Sequence, residues 1–597
     1  MMKKFILIVC GSFVGAFLAF IFFLIAAMVM SFGIMGSMSM GSIKSKASVT
    51  KHSILKIDLG TTISERGGAE AIDMMSLMRG EGMPSSLGLN TVVSAIENAA
   101  DNDKVDGIYL ACNGVSAAPA TLEKIRHALK EFKASGKWIA AYGYEAISQS
   151  DYYLASVADS IYLNPVGLLD LHGLGGATPY MKKLLDKVGV EMQIVRVGTF
   201  KSAVEPYMLD DMSEANRLQT EHYLGVIWNE MRDSIAASRH MQSAALNALC
   251  DSVVMCFDAK DLLRYKLVDK LVYSNEMDDI LRARTDVKSG DDLNFITPDD
   301  IAASLEDAVM GDHIAIVYAV GEINSTTGDS NEEINGQELS RTILELKDDD
   351  KVKGMVLRVN SPGGSAFASE QIWKAIEDFK AAGKPVAVSM GDYAASGGYY
   401  ISCNADRIFA ERTTITGSIG IFGMIPSFNE LVENKLGVHM ATVKTNENAD
   451  MGGIGSKLTP TQLAALQKMV NEGYELFTKR CADGRHMSQD SIKQIAEGRV
   501  WDAVTAKQIG LVDEFGGVDN AVAWVAKKLK MGDDYKTQNY PAAKDKLQAL
   551  LDKYMVSTYE SCLRGEMGVL YDWHKQLQRI LGRDHILCLM PEAEVKL

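Results

Sequence analysis

The chain has 597 residues, of which 47% are hydrophobic and 23% charged, with only 12 prolines. This is the composition of a folded protein long enough for more than one core, and it excludes a disordered or low-complexity chain. A net charge of −16 excludes a basic nucleic-acid-binding surface, because no cluster of Lys and Arg outside the first four residues is available to neutralise phosphates.

Lys3 and Lys4 precede an uncharged stretch from Phe5 to Ile43, and its Phe5–Met30 part is dense in Phe, Leu, Ile, Val and Ala. A spanning helix needs about 20 apolar residues, whereas the apolar core of a cleavable signal peptide is about 7–15. Residues 5–32 are therefore read as one retained transmembrane helix, with the cleaved signal peptide as the alternative. Lysines before the span place residues 1–4 in the cytoplasm and the rest of the chain across the membrane. Residues 33–50, rich in Gly, Ser and Met, read as a tether.

Residues 51–284 form a first unit, with strands at SILKIDL (53–59), GIYLA (107–111) and WIAAY (138–142) and an amphipathic helix over 120–133. Residues 285–312 are acidic and poorly periodic and read as a connector. Residues 313–535 repeat the order, with strands at 313–320, 354–359 and 385–390 and a helix over 369–382. Strands alternating with helices predict an α/β fold with parallel strands. Residues 536–597 are a polar and amphipathic tail, either a docking helix for another subunit or a surface helix.

The two units are copies. GKWIAAYGYEAISQSDYYLASVADSIYL (136–163) aligns with GKPVAVSMGDYAASGGYYISCNADRIFA (383–410) at a constant offset, 383 − 136 = 247, and Gly107 to Gly354 gives the same value. Tyr152, Tyr153, Ala158 and Asp159 fall on Tyr399, Tyr400, Ala405 and Asp406. Leu267-Val268-Asp269 match Leu511-Val512-Asp513 at 511 − 267 = 244. The copies diverge where Gln149, Ser150 and Asp151 fall on Ser396, Gly397 and Gly398. One copy presents a serine in a glycine-rich turn and the other keeps the scaffold without it, the pattern of a divided active site.

The eight cysteines form no CxxC and no Cys/His cluster, so neither a metal site nor an assignable disulfide is expected. Three segments of the second copy can carry chemistry. Ser361-Pro362-Gly363-Gly364 follows a strand; it is either a plain turn or a turn whose bare N–H groups hold an oxyanion. In Ala394-Ala395-Ser396-Gly397-Gly398-Tyr399-Tyr400 the serine is expected to be exposed, as a helix N-cap or as a nucleophile beside the Gly397 N–H. Thr416-Gly417-Ser418-Ile419-Gly420 is a Gly-Ser turn. A nucleophilic serine needs a base, yet no histidine follows Ser396 until His439, and Ala394 removes the first glycine of a Gly-x-Ser-x-Gly elbow. The alternative base is a lysine kept neutral by burial. Lys201 in VGTFKSAVEPY is the candidate, although spacing alone does not select it.

Together VGTFKSAVEPYMLDDMSEANR, RVNSPGGSAFASE, GDYAASGGYY and TITGSIGIFG resemble the signal peptide peptidase A (protease IV) family in its long two-repeat bacterial form, over about residues 50–535. The resemblance implies two tandem ClpP/crotonase-like α/β repeats behind one transmembrane helix and a Ser/Lys dyad. It makes Ser396 the nucleophile, Lys201 the general base, Ser418 the hydroxyl that orients the lysine, and Gly397 with Gly363 or Gly364 the oxyanion donors. The counterpart of Lys201 in the second copy falls at Asn448 or Ala449 (201 + 247 = 448), neither of them basic, so each copy keeps one half of the dyad. The resemblance further implies apolar peptides such as signal peptide remnants as substrates, a homotetramer, no cofactor or metal, and a place in the bacterial inner membrane with the catalytic part on the periplasmic side. Two rivals are an acyl-CoA enzyme of the crotonase fold, which would use the oxyanion turn without the dyad, and an inactive scaffold.

Overall fold

The apolar runs of both copies become the strands of parallel sheets buried on both faces, which is why they read as continuous hydrophobic stretches and do not alternate. The computed structural model describes residues 49–69, 85–288, 291–305, 311–325, 333–453, 456–532, 535–541, 586–591 and 594–596. The expected anchor (5–32) and all but the end of the tether (33–50) lie outside these residues. Among the described residues no helix is long and apolar enough to cross a membrane.

The first copy contributes β1 (Ser53–Asp58), β2 (Val105–Cys112), β3 (Trp138–Gly143), β4 (Ser160–Leu163), β5 (Glu191–Arg196), β6 (Lys270–Leu271) and β7 (Asn294–Ile296). Six of them form one parallel sheet in the order β6–β4–β3–β2–β1–β7. The second copy contributes β8 (His313–Val320), β9 (Glu322–Asn324), β10 (Glu333–Asn335), β11 (Val352–Ser361), β12 (Gly363–Ser365), β13 (Val386–Ala395), β14 (Arg407–Ala410), β15 (Ile415–Gly417), β16 (Phe422–Ser427), β17 (Val500–Asp502), β18 (Glu514–Phe515) and β19 (Thr537–Tyr540). Its sheet repeats the first order as β18–β14–β13–β11–β8–β19. The register is repeated as well, with Ile108 opposite Ile139 and Met355 opposite Val386.

The matched polar residues of the two copies are duplicated latches. Asp159 accepts from Ile139 N at 2.8 Å, and Asp406 accepts from Val386 N at 2.8 Å. Tyr152 donates to Leu267 O at 2.8 Å, and Tyr399 donates to Leu511 O at 3.0 Å. The aspartates tie a strand to the turn before the next strand, and the tyrosines tie a helix to the loop near the end of its repeat. In the second sheet alternate residues serve two cores. Met355, Leu357 and Val359 pack on the helix Ala366–Ala381 side, whereas Val356 packs with Ile314 and Val525 on the other face.

The structure departs from the sequence expectation at three places. The connector expected at 285–312 supplies β7, which closes the first sheet, and a helix, Pro298–Leu305. The tail expected from 536 begins with β19, which closes the second sheet by pairing with β8. The helix expected from 369 starts at Ala366, because the Ser365 side chain accepts from Ala368 N at 3.2 Å and fixes its first turn.

Several polar contacts bind the copies to each other, among them two with buried partners. Arg358 from β11 makes a bidentate pair with Glu65 at 2.9 and 2.6 Å, with both side chains almost fully buried. Asp392 accepts from Thr121 N and Thr121 Oγ1, each at 2.9 Å. Removing one member of a buried pair leaves an unsatisfied charge. Glu65→Ala is therefore expected to destabilise the folded chain by about 3–5 kcal/mol, read as a lower urea midpoint; a loss below about 1 kcal/mol would show that the pair is not buried.

Candidate active site

A third, mixed sheet is shared by the copies and builds the site. Its order is β5–β16–β20–β12–β9–β10, where β20 is Ile586–Leu589 from the far C-terminal segment. Strand β5 of the first copy runs antiparallel to β16 of the second, from Glu191 opposite Ser427 to Arg196 opposite Phe422. This pairing carries the following turn across the boundary. Val197 N donates to Ile421 O at 3.1 Å, and Phe200 N donates to Glu497 O at 3.0 Å. Lys201 is thereby lowered into the second copy, where its backbone passes against Gly498. A methyl on Gly498 (φ 76°) would lie 2.6 Å from Lys201 Cβ, so only glycine lets the lysine chain pass.

Lys201 Nζ and Ser396 Oγ are hydrogen-bonded at 2.7 Å. Nζ also donates to Ser418 O at 3.0 Å and to Ser418 Oγ at 3.1 Å. A neutral amine has two N–H donors and one lone pair. The two donors match the Ser418 acceptors, which leaves the lone pair for the Ser396 hydroxyl. Lys201, Ser396 and Ser418 are all fully buried. Burial pushes the Lys201 amine down to about 7, and no carboxylate contributes to hold it charged. The arrangement thus presents an alcohol to an amine that is half deprotonated near neutral pH.

Ser396 follows the end of β13 in a strained conformation, φ 56° and ψ −112°, and its side chain caps nothing. Ser396 N donates to Gly417 O at 2.7 Å, and Ser418 N donates to Arg499 O at 2.7 Å. These bonds hold the two serine-bearing turns side by side. Opposite them, β12 brings Gly363 and Gly364 against Gly397. A methyl on Gly363 (φ 107°) would lie 2.8 Å from Gly397 N and 2.1 Å from the Cys588 carbonyl oxygen. The structure therefore gathers every sequence-derived candidate, Ser396, Lys201, Ser418, Gly363, Gly364 and Gly397, at one point. Gly363 N donates to Ser361 Oγ at 3.2 Å.

The expectation that Ser396 is exposed is corrected, because the tail covers it. β20 lies antiparallel to β12, with Gly363 opposite Leu589 and Gly364 opposite Cys588, and antiparallel to β16, with Phe422 opposite Leu587. Met590 N extends the pairing by donating to Pro362 O at 2.9 Å. Leu587 and Leu589 enter an apolar cluster with Val204, Phe422 and Met424. Cys588 points the other way, into the second core. Its thiol is pushed up to about 12 by burial, with Lys201 pulling in the opposite direction. Sequence reasoning read the tail only as helical segments and missed this strand; the short continuous apolar run ILCLM was the available signal. Among the described residues no group of three His, Cys, Asp or Glu is arranged to hold a metal ion.

With this geometry in view, comparison with known proteins is direct. The sequence profile of peptidase family S49 matches residues 131–288 and 378–532, one segment in each copy, and the segments begin 378 − 131 = 247 residues apart. The "Protease 4" of Haemophilus influenzae is 38% identical over 484 residues, covering 78% of this chain and 77% of that one. The chain belongs to peptidase family S49. It is a serine peptidase. The "Protease 4" of Salmonella typhi is 39% identical over 454 residues, 74% of this chain and 72% of that one. The chloroplastic "Serine protease SPPA" of Arabidopsis thaliana is 29% identical over 459 residues, 75% and 66%. Among solved structures, a ClpP1 mutant from Listeria monocytogenes covers 35% of this chain and 94% of its own at 17% identity and a TM-score of 0.24, too low to support a fold comparison.

In this S49 peptidase Gly498 lies against Lys201 and carries no reacting group of its own. Gly498→Ala is nevertheless expected to lower kcat/KM by about 10², the cost of misplacing a reacting group by roughly 1 Å, and to slow fluorophosphonate labelling of Ser396 alike. Wild-type activity in this variant would show that the Lys201 path is not confined as described.

Proposed function

We propose that this peptidase cuts extended apolar peptides with a Ser396/Lys201 dyad. Neutral Lys201 takes the Ser396 proton as Oγ attacks the scissile carbonyl. The N–H groups of Gly397 and of Gly363 or Gly364 receive the oxyanion, where loss of one donor typically costs about 10²–10³ in rate. Lys201, now an ammonium held by Ser418, passes the proton to the leaving amine. The amine then deprotonates water, which releases the acyl group from Ser396.

The observation that carries this reading is the 2.7 Å contact between two fully buried groups from different copies. The seating of Ile586–Met590 supports the substrate class. An extended segment with leucines at alternate positions pairs with backbone on both sides, the mode in which a peptide adds a strand to a sheet edge. Cleaved signal peptides are apolar enough to fit. Residues 5–32 as a membrane anchor would place the dyad beside such remnants, on the periplasmic face of the bacterial inner membrane, in a homotetramer.

The pH dependence follows from the sign of the lysine shift. The base must be uncharged, so kcat/KM is expected to rise with pH through a midpoint near 7 and to fall about tenfold per unit below it. A midpoint near 10, that of an ordinary lysine, would sink the dyad. Lys201→Met is expected to lose about 10²–10⁴ in kcat/KM and yet to be the more stable protein at neutral pH. In the wild type the unfolded chain binds a proton that the folded chain refuses between about 10 and 7. The lysine therefore costs the native state about 1.4 kcal/mol per unit of depression. Denaturant unfolding at pH 7 and at pH 10 should show the stability gap narrowing at the higher pH, and a gap independent of pH would contradict a buried neutral amine.

A further inference from the structure

The first copy keeps one flanked edge of the arrangement that borders Ser396 in the second. In the second copy β12 is flanked on one edge by β9, with Ile323 opposite Gly364, and on the other by the extended segment Ile586–Leu589. The equivalent stretch of the first copy is Ser116–Ala118, since 363 − 247 = 116. It is flanked on its first edge in the same way: Thr62 bridges Ser116 in parallel, and Ile63 N donates to Ser116 O at 2.9 Å. No strand among the described residues covers its other edge. A cavity of about 510 Å³ opens there, bordered by Ser116, Ala117, Ala118, Ser150 and Tyr393, within the range of ligand sites. Ser116 is exposed, whereas its counterpart Gly363 is buried.

The catalytic groups at this slot have been replaced by groups that hold its shape. Gln149 stands where Ser396 stands, and its amide is fixed by donating to Gly173 O at 2.9 Å and accepting from Gly173 N at 2.8 Å. Asp151 stands where Gly398 stands, and its carboxylate accepts from Gly114 N at 2.8 Å and Val115 N at 2.9 Å. A carboxylate there would repel an oxyanion, yet it pins the turn in place. Ser150, 4% exposed, borders the cavity, and its hydroxyl has no hydrogen-bond partner among the described residues. Asp392 also borders the cavity, and its oxygens are held by Thr121 and, at 3.0 Å, by Asn360 Nδ2.

We infer that Ser116–Ala118 is a second peptide-binding edge, an exosite that takes an extended, uncharged and mainly apolar segment of the substrate and does not cut it. This rests on the peptidase reading above. The occupant is set by the matching slot, which in this chain holds such a segment. The path between the slots is also marked. Beyond Leu589 the same segment resumes at Glu594–Lys596 (594 − 589 = 5) and pairs antiparallel with Gly175–Ala177. Those residues stand 247 positions before Phe422–Met424, the far wall of the active slot (422 − 175 = 247). Two extended stretches of the C-terminal segment thus meet the active slot and the corresponding wall in the first copy.

The test uses the full chain, with an uncharged pentapeptide and a Leu/Ala-rich peptide of about 20 residues, roughly 66 Å when extended. Ser116→Trp, at an exposed position on the cavity rim, is expected to raise KM for the long peptide about tenfold, with its kcat and both constants for the pentapeptide unchanged. Equal effects on both lengths, or none, would overturn the exosite. A second readout needs neither activity nor the tryptophan variant. The Ser396→Ala chain, irradiated with a benzophenone-bearing copy of the long peptide, should crosslink at Ser116–Pro119 as well as in the active slot. Crosslinks confined to the active slot would overturn the exosite. A wild-type chain that cuts neither peptide, with crosslinks at Ser116–Pro119 intact, would instead remove the peptidase reading and leave the binding edge standing.

Discussion

The proposed chemistry depends on keeping one amine uncharged. Lys201 lies wholly inside the protein, opposite an alcohol and two acceptors of Ser418, with no anion to compensate a positive charge. A charged ammonium in that place would bear the full desolvation penalty, so the fold selects the form that has a free lone pair. The distance that makes this useful is not local. It is set by the pairing of β5 with β16, which joins a strand of one copy to a strand of the other. The same join explains why the boundary between the copies is polar and buried, at Arg358–Glu65 and Asp392–Thr121. The proposed dyad needs that boundary fixed; two copies sliding against each other would part it.

The duplication shows how one scaffold is used twice. Both sheets have the same strand order and register, and the same aspartate and tyrosine latches. At the position of Ser396 the copies differ in one turn. Ser396, Gly397 and Gly398 leave a serine hydroxyl beside a glycine pair, whereas Gln149, Ser150 and Asp151 fill the equivalent turn with an amide, a hydroxyl and a carboxylate that bind the backbone or border the cavity. The first copy has become the donor of the lysine and a frame around it.

Much of this was legible in the sequence, for identifiable reasons. Tyr152/Tyr399 and Asp159/Asp406 could be aligned because each side chain ties off a strand or loop within its own repeat, so the same residue is needed twice. The strands were readable because sheets covered on both faces demand unbroken apolar runs. Lys201 was different. Its burial arises from residues such as Gly498, and its partner lies 195 positions away, so no local pattern distinguishes it from a surface lysine; only the family resemblance pointed to it. The edge strands β7 and β19 were missed because short, partly polar strands gain their stability from the sheet they join. The strand Ile586–Leu589 was missed because a short apolar run cannot be told from a buried helical segment by periodicity, and with it the burial of Ser396.

The charge state of a single side chain decides the matter. Lys201 can be observed directly by nuclear magnetic resonance, with Cε and Nζ isotopically labelled and its signal assigned by its disappearance in Lys201→Met. A titration midpoint near 7 is expected, about three units below that of an ordinary lysine. A midpoint above about 10 would mean that the amine stays charged at neutral pH, and Lys201 could not then be the base that activates Ser396.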